Sequence, residues 1–213
     1  MVTDAPMRIA GSAIAVLAFD LFGVMISFDD DLVAARLASH CADPDDAFGK
    51  LHKLTARRDI ITGVSTLPEV HRELVDTHGL ALSYSEFEAA WLEPYHEPVP
   101  GMAELMKVLS GHYRLVLLSN VDRDYWQVVR AMHPEFDRFE SLLVSCELGM
   151  AKPDPEVFGR VCQLTGTKPS QCFFVDDTAP NVEAARELGF HGHVFSSVEG
   201  LTAALREADA IGV

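Results

Sequence analysis

Short apolar runs that stop on polar residues recur along this chain, and they leave few folds open to it. "AIAVLAFD" (13–20), "RLVLLSN" (114–120), "SLLVSCELGMAKPD" (141–154), "QCFFVDD" (171–177) and "HGHVFSS" (191–197) read as strands. A continuously apolar strand is covered on both faces, as strands of a parallel sheet are. Helical patterns fill the intervals, at 98–112, 122–135, 154–166, 179–190 and 198–209. "DPEVFGRVCQLTG" is the best marked of them, with Asp154 as N-cap, Pro155 in the first turn and Gly166 at the end. Buried strands alternating with helices predict an α/β fold, a Rossmann-like parallel sheet with helices on both faces.

From Asp30 to Glu97 the texture changes. Segments 29–41, 46–58, 66–79 and 83–96 carry apolar residues at helical spacing, with Asp, Ser or Thr near their starts and Gly79 after one end. The reading is a four-helix cap domain, residues 30–97, inserted after the first strand of a core formed by residues 1–29 and 98–213. A length of 213 residues allows one sizeable core with such an appendage.

A formal net charge of −15 denies the chain the basic surface that a general nucleic-acid binder needs, and disfavours anionic membranes. The run from Ile14 to Phe19 is far too short to span a bilayer. No basic stretch followed by a long apolar one marks a secretory signal. Cys41, Cys146, Cys162 and Cys172 lack C-x-x-C spacing, which favours reduced thiols over a disulfide framework or zinc site. The expected setting is the cytoplasm and the expected partner a small molecule, with homodimer formation left open.

In an open parallel sheet, ligands bind beyond the carboxyl ends of the strands. Those ends carry Asp20, Ser119, Asn120, Asp176 and Asp177, and Lys152 follows in a loop after another strand. Carboxylates converging on one edge repel each other unless a hard cation lies between them, and oxygen ligands suit Mg²⁺, which also takes phosphate oxygens. One carboxylate can attack phosphorus as a nucleophile. A lysine and a hydroxyl can hold the other oxygens of the transferring group.

"FDLFGV", "LLSN", "GMAKPDPEVF" and "FFVDDTAPNVEAARELGF" resemble, in order, the four sequence motifs of the haloacid dehalogenase-like (HAD) hydrolase superfamily. Their elements cover nearly all of the chain outside the helical block. The stretches "LSN", "LGM-KP" and "DD-x-x-x-N" look like the phosphatase branch that contains glucose-1-phosphate phosphatases and the N-terminal domain of soluble epoxide hydrolase. The resemblance implies a Mg²⁺-dependent hydrolase for a small phosphorylated metabolite. It implies Asp20 as nucleophile, Ser119 and Asn120 as phosphate-binding residues, and Lys152 steadying nucleophile and phosphate. It also implies metal ligation by Asp20, Asp177 and the main-chain carbonyl of Phe22, with Asp176 and Asn181 in support.

Phe22 departs from the family pattern. In most phosphatases of the family a second aspartate stands there as general acid and base. Its loss removes roughly 10²–10⁴-fold in rate where the leaving group needs a proton. Three readings follow. The chain is a phosphatase slow on alkyl phosphates or restricted to good leaving groups such as acyl phosphates, a binding protein without turnover, or a metal-free 2-haloacid dehalogenase. The family's dehalogenases carry an aromatic tyrosine at this position. The pair Asp176–Asp177 favours the phosphatase, because adjacent carboxylates with no cation are costly beside an ionised nucleophile.

Other groups read as ordinary structure. His191 and His193 would share a strand face, yet no third metal ligand is in view. Arg57 and Arg58 read as a solvated helix face, and Trp91 and Tyr95, one helical turn apart, as packing.

Overall fold

The structure is a computed structural model that describes residues 13–93 and 96–208. Tyr95, the tail before the first strand and the final residue of the last predicted helix lie outside the described residues. In chain order, β1 (Val16–Phe19) is followed by a short strand, β2 (Ile26–Phe28). Then come α1 (Asp30–Ala38), α2 (Pro44–Leu51), α3 (Arg58–Ile61), α4 (Leu67–His78) and α5 (Tyr84–Leu92), and β3 (His96–Pro98) leads back. The remainder is α6 (Met102–Leu109), β4 (Arg114–Ser119), α7 (Arg123–Met132), β5 (Ser141–Val144), the single turn α8 (Ser145–Leu148), α9 (Pro155–Thr165), β6 (Cys172–Asp176), α10 (Ala179–Glu187), β7 (His191–Val194) and α11 (Val198–Glu207).

Five strands form one parallel sheet in the order β5-β4-β1-β6-β7. The pleat sends successive residues of β1 to opposite faces, and each face has its own partners. Leu17 and Phe19 join Met106 and Leu109 of α6, Val129 of α7 and Leu205 of α11. Val16 and Ala18 join Phe158 and Val161 of α9 and Val182 and Ala185 of α10. Helices therefore cover both faces, which is why these strands are apolar throughout. Each large side chain so buried contributes about 1.5–3 kcal/mol. The chain builds outward from β1 through β4 and β5, then crosses to the far side for β6 and β7. Strand order thus reverses between β1 and β6, and that reversal opens a crevice at their carboxyl ends.

The helices between β2 and β3 differ from the sequence reading in one respect. Residues 46–58, read as one helix, are divided, so the described residues of this block form five α-helices rather than four. The break falls at Lys53, whose φ of 65° is left-handed, a conformation that costs an ordinary residue about 1–2 kcal/mol. Breaking there buries Leu51, Leu54 and Ile60 on separate short segments and brings Thr55 and Ala56 to the crevice. The ribbon of β2 and β3 was also not legible. Its strands pair antiparallel, Ile26 opposite Pro98 and Phe28 opposite His96. Three residues are too few to show a period of two, and Pro98 argues against a strand except at an edge.

The helix ends largely follow the sequence. Ser83 caps α5 and Glu86 reaches back to the Ser83 amide at 2.9 Å, while Gly79, with φ of 62°, closes α4. Asp154 stands at the N-cap of α9 but makes no side-chain cap, because its carboxylate is turned to Arg58 of α3. Arg57 is likewise paired: its guanidinium holds Asp59 at 2.8 and 2.9 Å and Glu73 at 2.7 and 2.9 Å. Both arginines are ion-paired; Arg58 stays exposed, as on a solvated face, whereas Arg57 is half-buried. Among the described residues, no helix is long and apolar enough to cross a membrane.

The Arg57 cluster ties α3 to α4 and generates a pH-dependent prediction. Hydrogen bonds from Arg57 hold the Asp59 carboxyl below its usual value of 3.8. A depressed carboxyl stabilises the fold fully above that usual value, and the contribution is lost as the pH falls through the folded value. With side chains about a third exposed, the effect is worth roughly 1 kcal/mol. Arg57→Gln is expected to lower the melting temperature at neutral pH by that equivalent, with the gap to wild type closing below pH 3.8. An undiminished gap in acid would contradict the assignment.

Candidate active site

Asp20 follows β1 directly and is buried. Its amide donates to the Val175 carbonyl at 2.8 Å, and its Oδ1 accepts the Leu21 amide at 2.7 Å, so the adjoining backbone fixes the carboxylate's direction. Asp176 ends β6 fully buried, and Asp177 next to it is exposed. Lys152, on the loop before α9, is 4% exposed. Its Nζ lies 2.7 Å from Asp20 Oδ1 and 2.6 Å from Asp176 Oδ2, joining the two strands that flank the crevice. One oxygen from each of Asp20, Asp176 and Asp177 falls within 4.8 Å of the others.

The remaining predicted residues gather around this group. The Asn120 side chain accepts the Lys152 amide at 2.9 Å and donates to the Lys152 carbonyl at 3.0 Å, so its amide clamps the lysine's loop. Asn181, in the first turn of α10, donates to both oxygens of Asp176 at 3.1 Å. The Thr178 amide reaches Asp176 Oδ1 at 2.8 Å. Ser119 ends β4 with a buried hydroxyl that has no hydrogen-bond partner among the described residues. A buried orphan of this kind is costly, and it suits an oxygen of a bound ligand. Gly23 makes the turn possible in a direct sense. Its φ is +75°, and a Cβ there would stand 2.1 Å from Asp177 Oδ2.

Burial pushes the Asp20 carboxyl up to about 7, with Lys152 pulling it down and Asp176 adding to the rise. Partial burial, then Asp176, raises Asp177. Burial alone would lower Lys152, but Asp20 and Asp176 outweigh it and hold the ammonium above its usual value. Three carboxylates facing one ammonium leave a formal charge of −2 when all are ionised. That charge and the all-oxygen donor set fit a hard divalent cation such as Mg²⁺.

The group opens into a cleft of about 180 Å³. Phe22 lines it, with its ring edge-on to Phe28 at 5.4 Å and stacked on Tyr125 at 6.3 Å. Thr55, Ala56 and Ile61 of the helical block line it too. Asp122 and Thr178 also line it. The sequence reading passed over all five. "SNVDRD" carries a signal for Asp122, an acid at the start of a helix, whereas the helical block has no motif that marks its contribution. Trp91 is buried against Phe87, and its Nε1–H points to Asp122 Oδ2 at 3.4 Å. The His191 ring lies parallel to that of Phe173.

A family model described as haloacid dehalogenase-like hydrolase matches residues 14–189. The D-ribitol-5-phosphate phosphatase of Bacteroides thetaiotaomicron is 30% identical over 183 residues, 82% of this chain and 88% of that one. A crystal structure of a HAD family enzyme of Bacteroides thetaiotaomicron in complex with magnesium and inorganic phosphate aligns with a TM-score of 0.75 at 27% identity, over 87% of this chain and 96% of that one. The L-2-haloacid dehalogenase of Xanthobacter autotrophicus aligns with a TM-score of 0.60 at 21% identity, over 93% and 84% of the two chains, a likeness of fold alone.

Gly23→Ala tests the packing of the turn against Asp177. The added Cβ forces Asp177 aside and strains a left-handed position, at a cost of about 1–2 kcal/mol. Calorimetry should show a lowered melting temperature and titration a weakened affinity for divalent cations. Wild-type values for both would show that the turn does not position Asp177.

Proposed function

The chain belongs to the haloacid dehalogenase-like hydrolase family and is a hydrolase, and we propose that it is a Mg²⁺-dependent phosphatase for a small phosphorylated metabolite. The carrying observation is the buried lysine bridging Asp20 and Asp176 beside Asp177. In this reading Asp20 attacks phosphorus, the bond to the leaving oxygen breaks, and a phospho-Asp20 forms. Water then attacks the same phosphorus, releasing inorganic phosphate and the free carboxylate. Lys152 and the Ser119 hydroxyl hold oxygens of the transferring group and offset charge as it develops. Asp20, Asp177 and the Phe22 carbonyl would ligate Mg²⁺, with Asp176 and Asn181 behind them. The ion would neutralise the repulsion between nucleophile and phosphoryl oxygens.

Residues 30–97 serve in this reading as a cap that excludes water and selects substrate from above. The small cleft and the name of the 30% identical relative support a compact polyol or sugar phosphate. A cytoplasmic setting suits such a metabolite. The rival is a metal-free 2-haloacid dehalogenase, favoured by the aromatic Phe22. Asp176 and Asp177 weigh against it, since no cation would then offset them beside the nucleophile.

Phosphate release from a panel of phosphate esters and acyl phosphates decides between them. Release is expected with Mg²⁺, lost on chelation and restored by adding Mg²⁺ back. Asp20→Asn is expected to abolish it while the fold persists. Silence across the panel with folded, Mg²⁺-supplied protein would refute the phosphatase, and halide release from 2-haloacids in chelator would establish the rival.

A further inference from the structure

An alkyl phosphate ester yields its alcohol readily only if a proton reaches the leaving oxygen, and Phe22 has none to give. Three carboxyl groups line the cleft: Asp20, Asp122 and Asp177. Asp20 and Asp177 belong to the cluster with Asp176. Asp122 stands apart from it. Its Oδ1 caps α7, accepting the amides of Asp124 at 3.0 Å and Tyr125 at 2.9 Å. Its Oδ2 meets the Trp91 Nε1–H at the long distance of 3.4 Å, and no described lysine, arginine or histidine forms an ion pair with it. Tyr125, whose amide Asp122 holds, carries the ring stacked on Phe22. Asp122 and Phe22 therefore line the same cleft, linked through Tyr125.

We propose that Asp122 is the general acid and base of the reaction, filling the role that the side chain at position 22 leaves open. The inference rests on the phosphatase reading. As Asp20 attacks phosphorus and the ester P–O bond breaks, the Asp122 carboxyl passes its proton to the departing oxygen, giving an alcohol and leaving Asp122 as carboxylate. The carboxylate then takes a proton from the water that attacks phospho-Asp20. The Asp20–phosphorus bond breaks, phosphate leaves, and Asp122 is protonated again. Burial supports this, because it raises the Asp122 carboxyl above its usual value against the pull of the Tyr125 amide and the Trp91 N–H. The residue is 4% exposed, so its carboxyl is largely withdrawn from bulk water.

Asp122 also caps a helix, and the test must separate the two roles. Asparagine caps as well as aspartate does, so Asp122→Asn keeps the start of α7 and removes the transferable proton. Asp122→Ser keeps a capping oxygen and does not set an amide against the Trp91 N–H. The full chain is assayed with Mg²⁺ on 4-nitrophenyl phosphate, whose leaving group needs no proton, and on the best alkyl phosphate of the panel. Because kcat/KM reports steps only up to formation of the phosphoenzyme, its alkyl-to-aryl ratio is expected to fall by about 10²-fold in both variants. The wild-type profile of alkyl kcat/KM should decline on its alkaline side, and that limb should vanish in the variants. An equal loss on both substrates, no loss, or a retained alkaline limb would overturn the assignment and leave the phosphatase standing. So would wild-type turnover of the aryl ester with none of any alkyl ester. Wild-type inactivity on every ester would remove both.

Discussion

The ammonium of Lys152 holds this structure's chemistry in place. It is buried, it touches carboxylates from two neighbouring strands, and its own loop is clamped by Asn120 on a third strand's end. Taking such charges out of water costs several kcal/mol per ion, which only close pairing and further hydrogen bonds offset. The further bonds are present. Asn181 and the Thr178 amide satisfy Asp176, and the Leu21 amide satisfies Asp20. Even so, one cation does not balance three acids, and the surplus negative charge suits the edge to a divalent cation.

That edge is a consequence of topology. Strand order reverses between β1 and β6, so the loops that follow them part and leave room between Asp20 and Asp177. The turn after β1 then comes so near to Asp177 that a side chain at position 23 would displace the Asp177 carboxylate. The sheet sets the distance between the acids, and the glycine sets how closely the turn can approach them.

How much of this was legible follows from how each signal is written. Strands buried on both faces must be apolar throughout, so β1, β4 and β6 declared themselves, and the acids that end them stood out by contrast. Four short motifs then marked Asp20, Ser119, Lys152 and Asp177 as neighbours at one edge. The clamp that Asn120 puts on the Lys152 loop was hidden, because a side chain that binds a neighbouring backbone looks the same in sequence as one that binds a ligand. The break at Lys53 was hidden because apolar spacing reports which residues are buried, not whether the backbone between them is straight. β2 and β3 were hidden by brevity. Asp122 was passed over because an aspartate at a helix start has a sufficient structural explanation, and nothing local shows that it also faces a cleft.

The ribbon of β2 and β3 has a consequence of its own. It brings both ends of the helical block out of the sheet side by side, Phe28 opposite His96. On the far side, the Ser145 hydroxyl holds the Ile61 carbonyl at 2.6 Å, and Arg58 reaches Asp154. The block between the two strands also packs on the sheet domain, where Phe87 and Trp91 share one apolar cluster with Phe19 and Tyr125, and Trp91 reaches Asp122. Such a layout lets this block be lengthened, shortened or exchanged by recombination at two adjacent points of the chain.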